Sequence, residues 1–442
     1  MIWARREDST VRRFLGIITF SILLLMMPHF GDANTKTIQE RIDEAEEGEA
    51  ILIPSGTYEE ALFIDKQVTI SGEGEVLFKV KHNKPAITIA ADDVSLENLS
   101  IQYDSDEADQ AAIYISGNHN HLESIDIKTS KKAVLLDEAH YNVLSKLTVQ
   151  GDASLAIKER QRGIDLWKAN YNTINHTQIS DTEDAIYVES GSDNVLHDNS
   201  AANSRYGYHL MFTKNSELYA NESYENISGM MIMGTNGTKV YENNLFDNQK
   251  NVQSLGLLLF DVRHALIENN EIRRNRIGIF VENAADNEIR NNDVANNFVG
   301  LQFKQAEDNL IHHNAFTANV VQGQAEASMD NLTNHNFWSN HTGLDITGDG
   351  FSDLTYKVDP FYLHVTNKYP AFRLLFQAPG FNFLEKMMHT PIEQQLVDDA
   401  PLMENPLLPT DEPADKSKTI LLISSLLFVF SLSIIYMGVK QS

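Results

Sequence analysis

A small residue followed by alternating apolar side chains recurs through the middle of the chain. The small residue is Ala86, Ala112, Ala133, Gly163, Ala185, Gly207, Gly229, Gly256, Gly278 and Gly300; five of the nine spacings are 22 residues, the others 26, 21, 30 and 27. Counting it as zero, positions +1 and +3 are apolar or aromatic in every unit, from Ile87/Ile89 through Ile186/Val188, Tyr208/Leu210 and Met230/Ile232 to Leu301/Phe303. Period-two burial marks a strand with one inward face. One such strand per ~22 residues cannot enclose a core alone, but stacked in parallel register the units bury one continuous apolar column. The predicted fold is all-β: a parallel β-helix with ten coils visible in the pattern. The longer spacings read as loops inserted at turns of an otherwise constant coil.

A second column stands eight residues before the small one: Thr177, Asn199, Asn221, Asn248, Asn270 and Asn292, continued by Asn314 and Asn336. Asparagine tolerates left-handed backbone and bonds its own turn, so the column predicts a stacked corner. Ahead of the coils, Thr37 and Glu40 form a capping-box pattern before Ile38, Ile42 and Ala45, predicting a short amphipathic helix that covers the open end of the first coil. The entry segments Ile53–Tyr58 and Val68–Gly72 resemble those of right-handed parallel β-helices of the pectate-lyase-like class, and the expectation of right-handedness rests on that resemblance.

The two ends bear on location. Arg5, Arg6, Arg12 and Arg13 precede the apolar run Phe14–Met27 and the small residues Gly31-Asp32-Ala33, the layout of a secretory signal peptide over 1–33. Thr419–Met437 is uncharged and rich in Leu, Ile and Phe, and at ~1.5 Å per residue it would cover about 28 Å, close to a bilayer's hydrocarbon thickness. It predicts a C-terminal transmembrane helix holding an exported body on the outer face of the cell membrane. Between these ends the predicted organisation is a β-helix over 34–354, a packing or docking segment over 355–397, and an acidic, proline-containing stalk over 398–418. The 442 residues carry 35 basic and 62 acidic side chains, a net charge of −27 that repels phosphate and argues against nucleic acid as a partner. There is no cysteine, so a side-chain metal site must use His, Met or carboxylates.

Positions +2 and +4 of each strand point away from the tube. Toward both ends they are mostly polar, as in Thr88/Ala90 and Gln302/Lys304. In the middle they are Asp165/Trp167, Tyr187/Glu189, His209/Met211, Met231/Met233, Leu258/Phe260 and Phe280/Glu282, an apolar patch of the kind that marks a binding surface or is covered by another part of the chain. Coils stack at about 4.8 Å, which sets His209 beside Met231 and Met211 beside Met233. Imidazole with thioethers favours copper(I) over hard ions, although methionines also serve as adaptable packing filler.

The stretch Arg205-Tyr206-Gly207-Tyr208-His209-Leu210-Met211, followed by Gly229-Met230-Met231-Ile232-Met233 and later by Asn336-Phe337-Trp338 and Gly343–Asp353, resembles the NosD family of β-helical accessory proteins in nitrous oxide reductase maturation. The resemblance spans about 37–390. It implies an exported protein that works with an ABC-type permease and ATPase pair, receives copper from a small copper chaperone and supplies it to the reductase. On this reading copper(I) is handled by His209, Met211, Met231 and Met233, and partners dock on Trp167, Tyr187, Arg205, Leu258, Phe260 and Phe280. The C-terminal span and the acidic body depart from the family's commonest, soluble pattern.

Two other constellations stand beside this one. Asp345, Asp349 and Asp353 have part of the spacing of a calcium loop, without the twelfth-position carboxylate, since Tyr356 stands there. Asp181 and Asp184, with Tyr187, Glu189, Arg205 and His209 on neighbouring coils, leave open a carbohydrate-binding or polysaccharide-processing β-helix: a lyase, hydrolase or epimerase.

Overall fold

The computed structural model describes residues 36–107, 109–358, 368–369 and 396–407. The expected signal peptide and transmembrane helix, most of the 355–397 segment, and residues 408–418 lie outside them. Among the described residues no helix is long and apolar enough to cross a membrane.

The chain winds into a parallel β-helix. Among the described residues a front sheet of twelve strands runs from Leu62–Ile64 to Val321–Glu326, and a back sheet of 24 strands bends so that each later coil gives it two short strands, such as Val195–His197 and Ser200–Ala202. Front-sheet register is constant: Ile186 pairs with Tyr208, Tyr208 with Met230, Met230 with Leu257 and Leu257 with Ile279. All of these side chains are buried in one apolar core running through the tube. The front strands thus include the ten units of the sequence repeat and one more at each end. At the far end Gly323 and Ala325 pair with Leu301 and Phe303, so the apolar alternation has faded while the backbone ladder continues.

The glycine column follows from backbone proximity. A Cβ built on Gly229 would lie 2.5 Å from the carbonyl oxygen of Gly256, and one on Gly278 would lie 2.6 Å from that of Gly300. Neither space admits a side chain without moving the neighbouring coil's backbone.

Stacked asparagines hold the corners, with two corrections to the expected column. The ladder runs Thr177, Asn199, Asn221, Asn243, Asn270, Asn292, Asn314, Asn336, and each asparagine accepts the backbone N–H of the rung before it at 3.0 Å. Asn243 takes the place expected for Asn248, which sits in a neighbouring ladder between Asn226 and Asn275. The extra residues of the 27-residue coil fall between Asn248 and the strand Leu255–Phe260, so counting back from Gly256 lands one corner too late. The left-handed backbone belongs to the residue before each ladder asparagine, as at Asp198 (φ 54°), Ala220 (52°) and Glu242 (56°).

The N-terminal helix, α1 (Ile38–Glu44), forms as expected. Thr37 Oγ1 accepts the Glu40 amide at 3.1 Å, Glu40 Oε2 accepts the Thr37 amide at 2.9 Å, and Ile38 and Ile42 are buried against the first coil. At the other end the expected solvated stalk begins too early at 398. Strand Leu396–Asp398 pairs antiparallel with Tyr356–Val358, and the buried Asp398 carboxylate accepts from the Asn336 amide (3.0 Å) and from Trp338 Nε1 (3.0 Å). Asp398 thereby ends the asparagine ladder, while Leu402 bridges Phe337 and Phe351.

Candidate functional site

On the outer face of the front sheet the coils align the +2 and +4 residues into two columns. Tyr187, His209, Met231 and Leu258 are successive Cα partners, and beside them Glu189, Met211, Met233 and Phe260 are as well. The two columns differ in depth. Tyr187, His209, Met231 and Leu258 are only 2%, 6%, 7% and 6% exposed, whereas Met211, Met233 and Phe260 are half-buried and Trp167 is 37% exposed. Met231, Leu255 and Leu258 form an apolar cluster separate from the tube's core, with Tyr206, Met233, Phe260, Ile277 and Phe280 packed against it. The expected open patch is therefore a buried floor with a partly open rim. Of the residues expected to dock partners, Tyr187 and Leu258 present almost no surface, while Trp167, Arg205, Phe260 and Phe280 still do.

His209 is tightly placed. Its Nδ1 lies 2.8 Å from Asp184 Oδ2, and its ring meets those of Tyr187 and Tyr206 edge-on at 4.8 and 5.1 Å. Asp184, fully buried, also receives Arg205 Nε at 2.8 Å on Oδ1 and Nη2 at 2.7 Å on Oδ2. Burial alone would raise the Asp184 pKa, but the hydrogen bonds from His209 and Arg205 outweigh it and hold the carboxyl below its ordinary value. An ionised carboxylate only accepts, so His209 must carry a proton on Nδ1. Its Nε2 is buried and has no hydrogen-bond partner among the described residues. Arg205 is shared with Glu183 Oε1 at 3.0 Å and lies over the Tyr206 ring; burial pushes the Glu183 carboxyl up.

Met211 lies 3.3 Å from the Tyr187 hydroxyl, but that hydroxyl donates its single proton to Glu189 at 2.5 Å, leaving the sulfur in packing contact. Toward the N-terminus, Asp165 is bound by Arg162 Nη1 at 3.0 Å and Lys132 Nζ at 3.3 Å, and Arg162 covers the Tyr187 ring. The sequence groups Asp184 with His209 and Arg205 only as part of the carbohydrate alternative, not as a bond that orients the His209 ring. The signal was present: Asp184 and Tyr206 are one 22-residue step apart and pair directly, so Asp184 begins the strand beside the one that carries His209.

Among the described residues no group of three or more His, Asp or Glu side chains is arranged to hold an ion. With no cysteine in the chain, a metal at His209 would need thioether sulfur. The possible calcium turn is braced from within. Asp345 accepts the amides of Gly348 (2.6 Å) and Gly350 (2.9 Å), Asp353 that of Ile346 (2.7 Å) and Asp349 that of Phe351 (3.0 Å), so these carboxylates brace their own loop. Asp181 and Asp184 do not face each other as a reacting pair. Asp181 sits in the turn at φ 61°, 3.9 Å from Arg160, while Asp184 is enclosed by Arg205 and His209.

Residues 146–352 match the family model described as "Periplasmic copper-binding protein (NosD)". No curated protein matches the chain. Solved structures similar to it include the A-module of the Azotobacter vinelandii mannuronan C-5 epimerase AlgE6 (12% identity, TM-score 0.48, covering 68% of this chain and 87% of that one). Others are a mannuronic acid specific polysaccharide family 6 lyase from human gut microbiota (13%, 0.49, 69% and 84%) and the Streptococcus pneumoniae surface adhesin PfbA (11%, 0.48, 72% and 92%).

Proposed function

We propose that this NosD-like parallel β-helix protein takes up copper(I) on the outer face of its front sheet, as the extracytoplasmic copper-handling component of an ABC-linked system that matures nitrous oxide reductase. Copper is the cargo. The family description supports this reading in general terms, and the observation that carries it at residue level is the His209 Nε2 lone pair, buried without a partner among the described residues and adjacent in register to Met231. An unsatisfied nitrogen of that kind is costly unless it meets a ligand, and imidazole with thioether is a donor set suited to copper(I). Arg205 fixes Asp184, Asp184 fixes the Nδ1–H of His209, and Nε2 is thereby left as the donor, the carboxylate–histidine arrangement that orients metal ligands. The chaperone, the permease and ATPase pair and the reductase are the proposed partners, with the C-terminal apolar run as the membrane anchor.

The test is an anaerobic copper(I) titration of the purified full chain against a chromophoric chelator. One equivalent is expected to bind tightly, and His209→Leu is expected to weaken it by at least about tenfold. A wild-type chain that leaves all the copper with the chelator overturns the reading.

A further inference from the structure

We infer that the four soft donors form two tiers with separate tasks: Met211 and Met233 at the rim capture copper(I), and His209 and Met231 on the floor retain it. This rests on the copper reading and assigns an order to the donors. The observation behind it is the difference in depth between two columns on the same strands. His209 and Met231 are partners in adjacent coils and almost wholly buried; Met211 and Met233, two residues further along the same strands, are also partners and remain half open.

The surroundings of the tiers differ in kind. The floor is closed by the edges of Tyr187 and Tyr206 around His209 and by Leu255 and Leu258 around Met231. Water is excluded there, and a soft ion replaces its hydration with nitrogen and sulfur. The rim continues on one side into Glu189, the partner of Met211, and on the other into Phe260, the partner of Met233. A carboxylate beside an open thioether pair attracts a monovalent cation without offering a full coordination shell.

Spacing permits hand-over. Positions two apart on one strand are about 6.6 Å apart and neighbouring strands about 4.8 Å, within the sweep of two flexible methionine side chains. In the step, thioether–copper bonds at the rim break as the Met231 sulfur and the His209 Nε2 lone pair form theirs. The ion stays copper(I), no electron moves, and the Nδ1 proton stays on His209, held by its bond to Asp184, so none is released.

The experiment compares uptake rate and equilibrium affinity in the purified full chain. Uptake is followed by stopped flow from a copper(I)–chelator complex, and affinity by competition. Met211→Leu/Met233→Leu is expected to slow uptake about tenfold or more while changing affinity less than about threefold, and Met231→Leu to do the opposite. Leucine keeps volume close to that of methionine, and circular dichroism melts identify any variant that fails to fold; Met211→Gln/Met233→Gln then replaces a misfolded rim variant. Equal losses of affinity in rim and floor variants, or a rim variant with unchanged uptake, would overturn the two-tier assignment while leaving a single copper site standing. A wild-type chain without copper(I) affinity removes the copper reading as well.

Discussion

Replacing Asp184 by asparagine removes a charge that three donors depend on while nearly preserving shape. Wild-type Asp184 has no exposed surface and accepts bonds at 2.7, 2.8 and 2.8 Å from Arg205 and His209. The variant turns an amide N–H₂ toward a guanidinium or an imidazole N–H, and among the described residues Arg205 keeps only Glu183 as its counter-charge. Breaking a buried, hydrogen-bonded charge pair from one side costs ~3–5 kcal/mol. At 1.36 kcal/mol per power of ten, this corresponds to about 2.2 to 3.7 decades of lost protection for the amides of Tyr206–Met211, read by native-state hydrogen exchange. Exchange is the right assay because solenoids open locally, without one sharp transition. The sign with pH follows from the depressed folded-state pKa of Asp184. Its contribution is fully present above the unfolded value, near 4, and is lost as pH falls through the lower folded value, so wild type and variant converge in strong acid. Copper(I) affinity should fall about 10- to 100-fold in the same variant. Protection within about 0.5 kcal/mol of wild type at pH 7 would refute the proposed clamp.

Asp398→Ala leaves the Asn336 amide and the Trp338 indole N–H without their acceptor; a local loss of about 2–4 kcal/mol is expected, seen as faster exchange across Leu332–Trp338 and altered tryptophan fluorescence. Gly278→Ala puts a methyl 2.6 Å from a backbone oxygen and should cost about 1–3 kcal/mol, checked by exchange in the coils on either side. Because Asp345, Asp349 and Asp353 already bond their loop's own amides, adding calcium or a calcium chelator should leave the exchange rates of residues 344–354 unchanged.

Much of the fold was legible because period-two burial is a local signal: positions +1 and +3 are read from the sequence without knowing which coil comes next. The signal stops where local rules stop. Gln322, Gly323 and Ala325 form a rung with no apolar pattern, since the backbone ladder from the preceding coil suffices to hold it. Asn248 was set in the wrong corner because the position of an insertion within a coil is invisible in the period. Depth was not legible either. Alternation says that His209 and Met231 face away from the tube, but not that rings and leucines close over them. The clamp on His209 also escaped: the repeat sets Asp184 one coil from His209, but does not say that its carboxylate turns to the Nδ1 of that ring.

The asparagine ladder closes on a residue contributed from 62 positions further along the chain. Each earlier rung finds its acceptor in the next coil to emerge, so assembly of those rungs can follow the order of synthesis. The terminal rung must wait until a distant stretch has arrived and laid itself back across the finished end. A chain cut before Leu396 would therefore present a raw, adhesive stack end, with parallel strands, bare donors and a tryptophan ready to accept another copy.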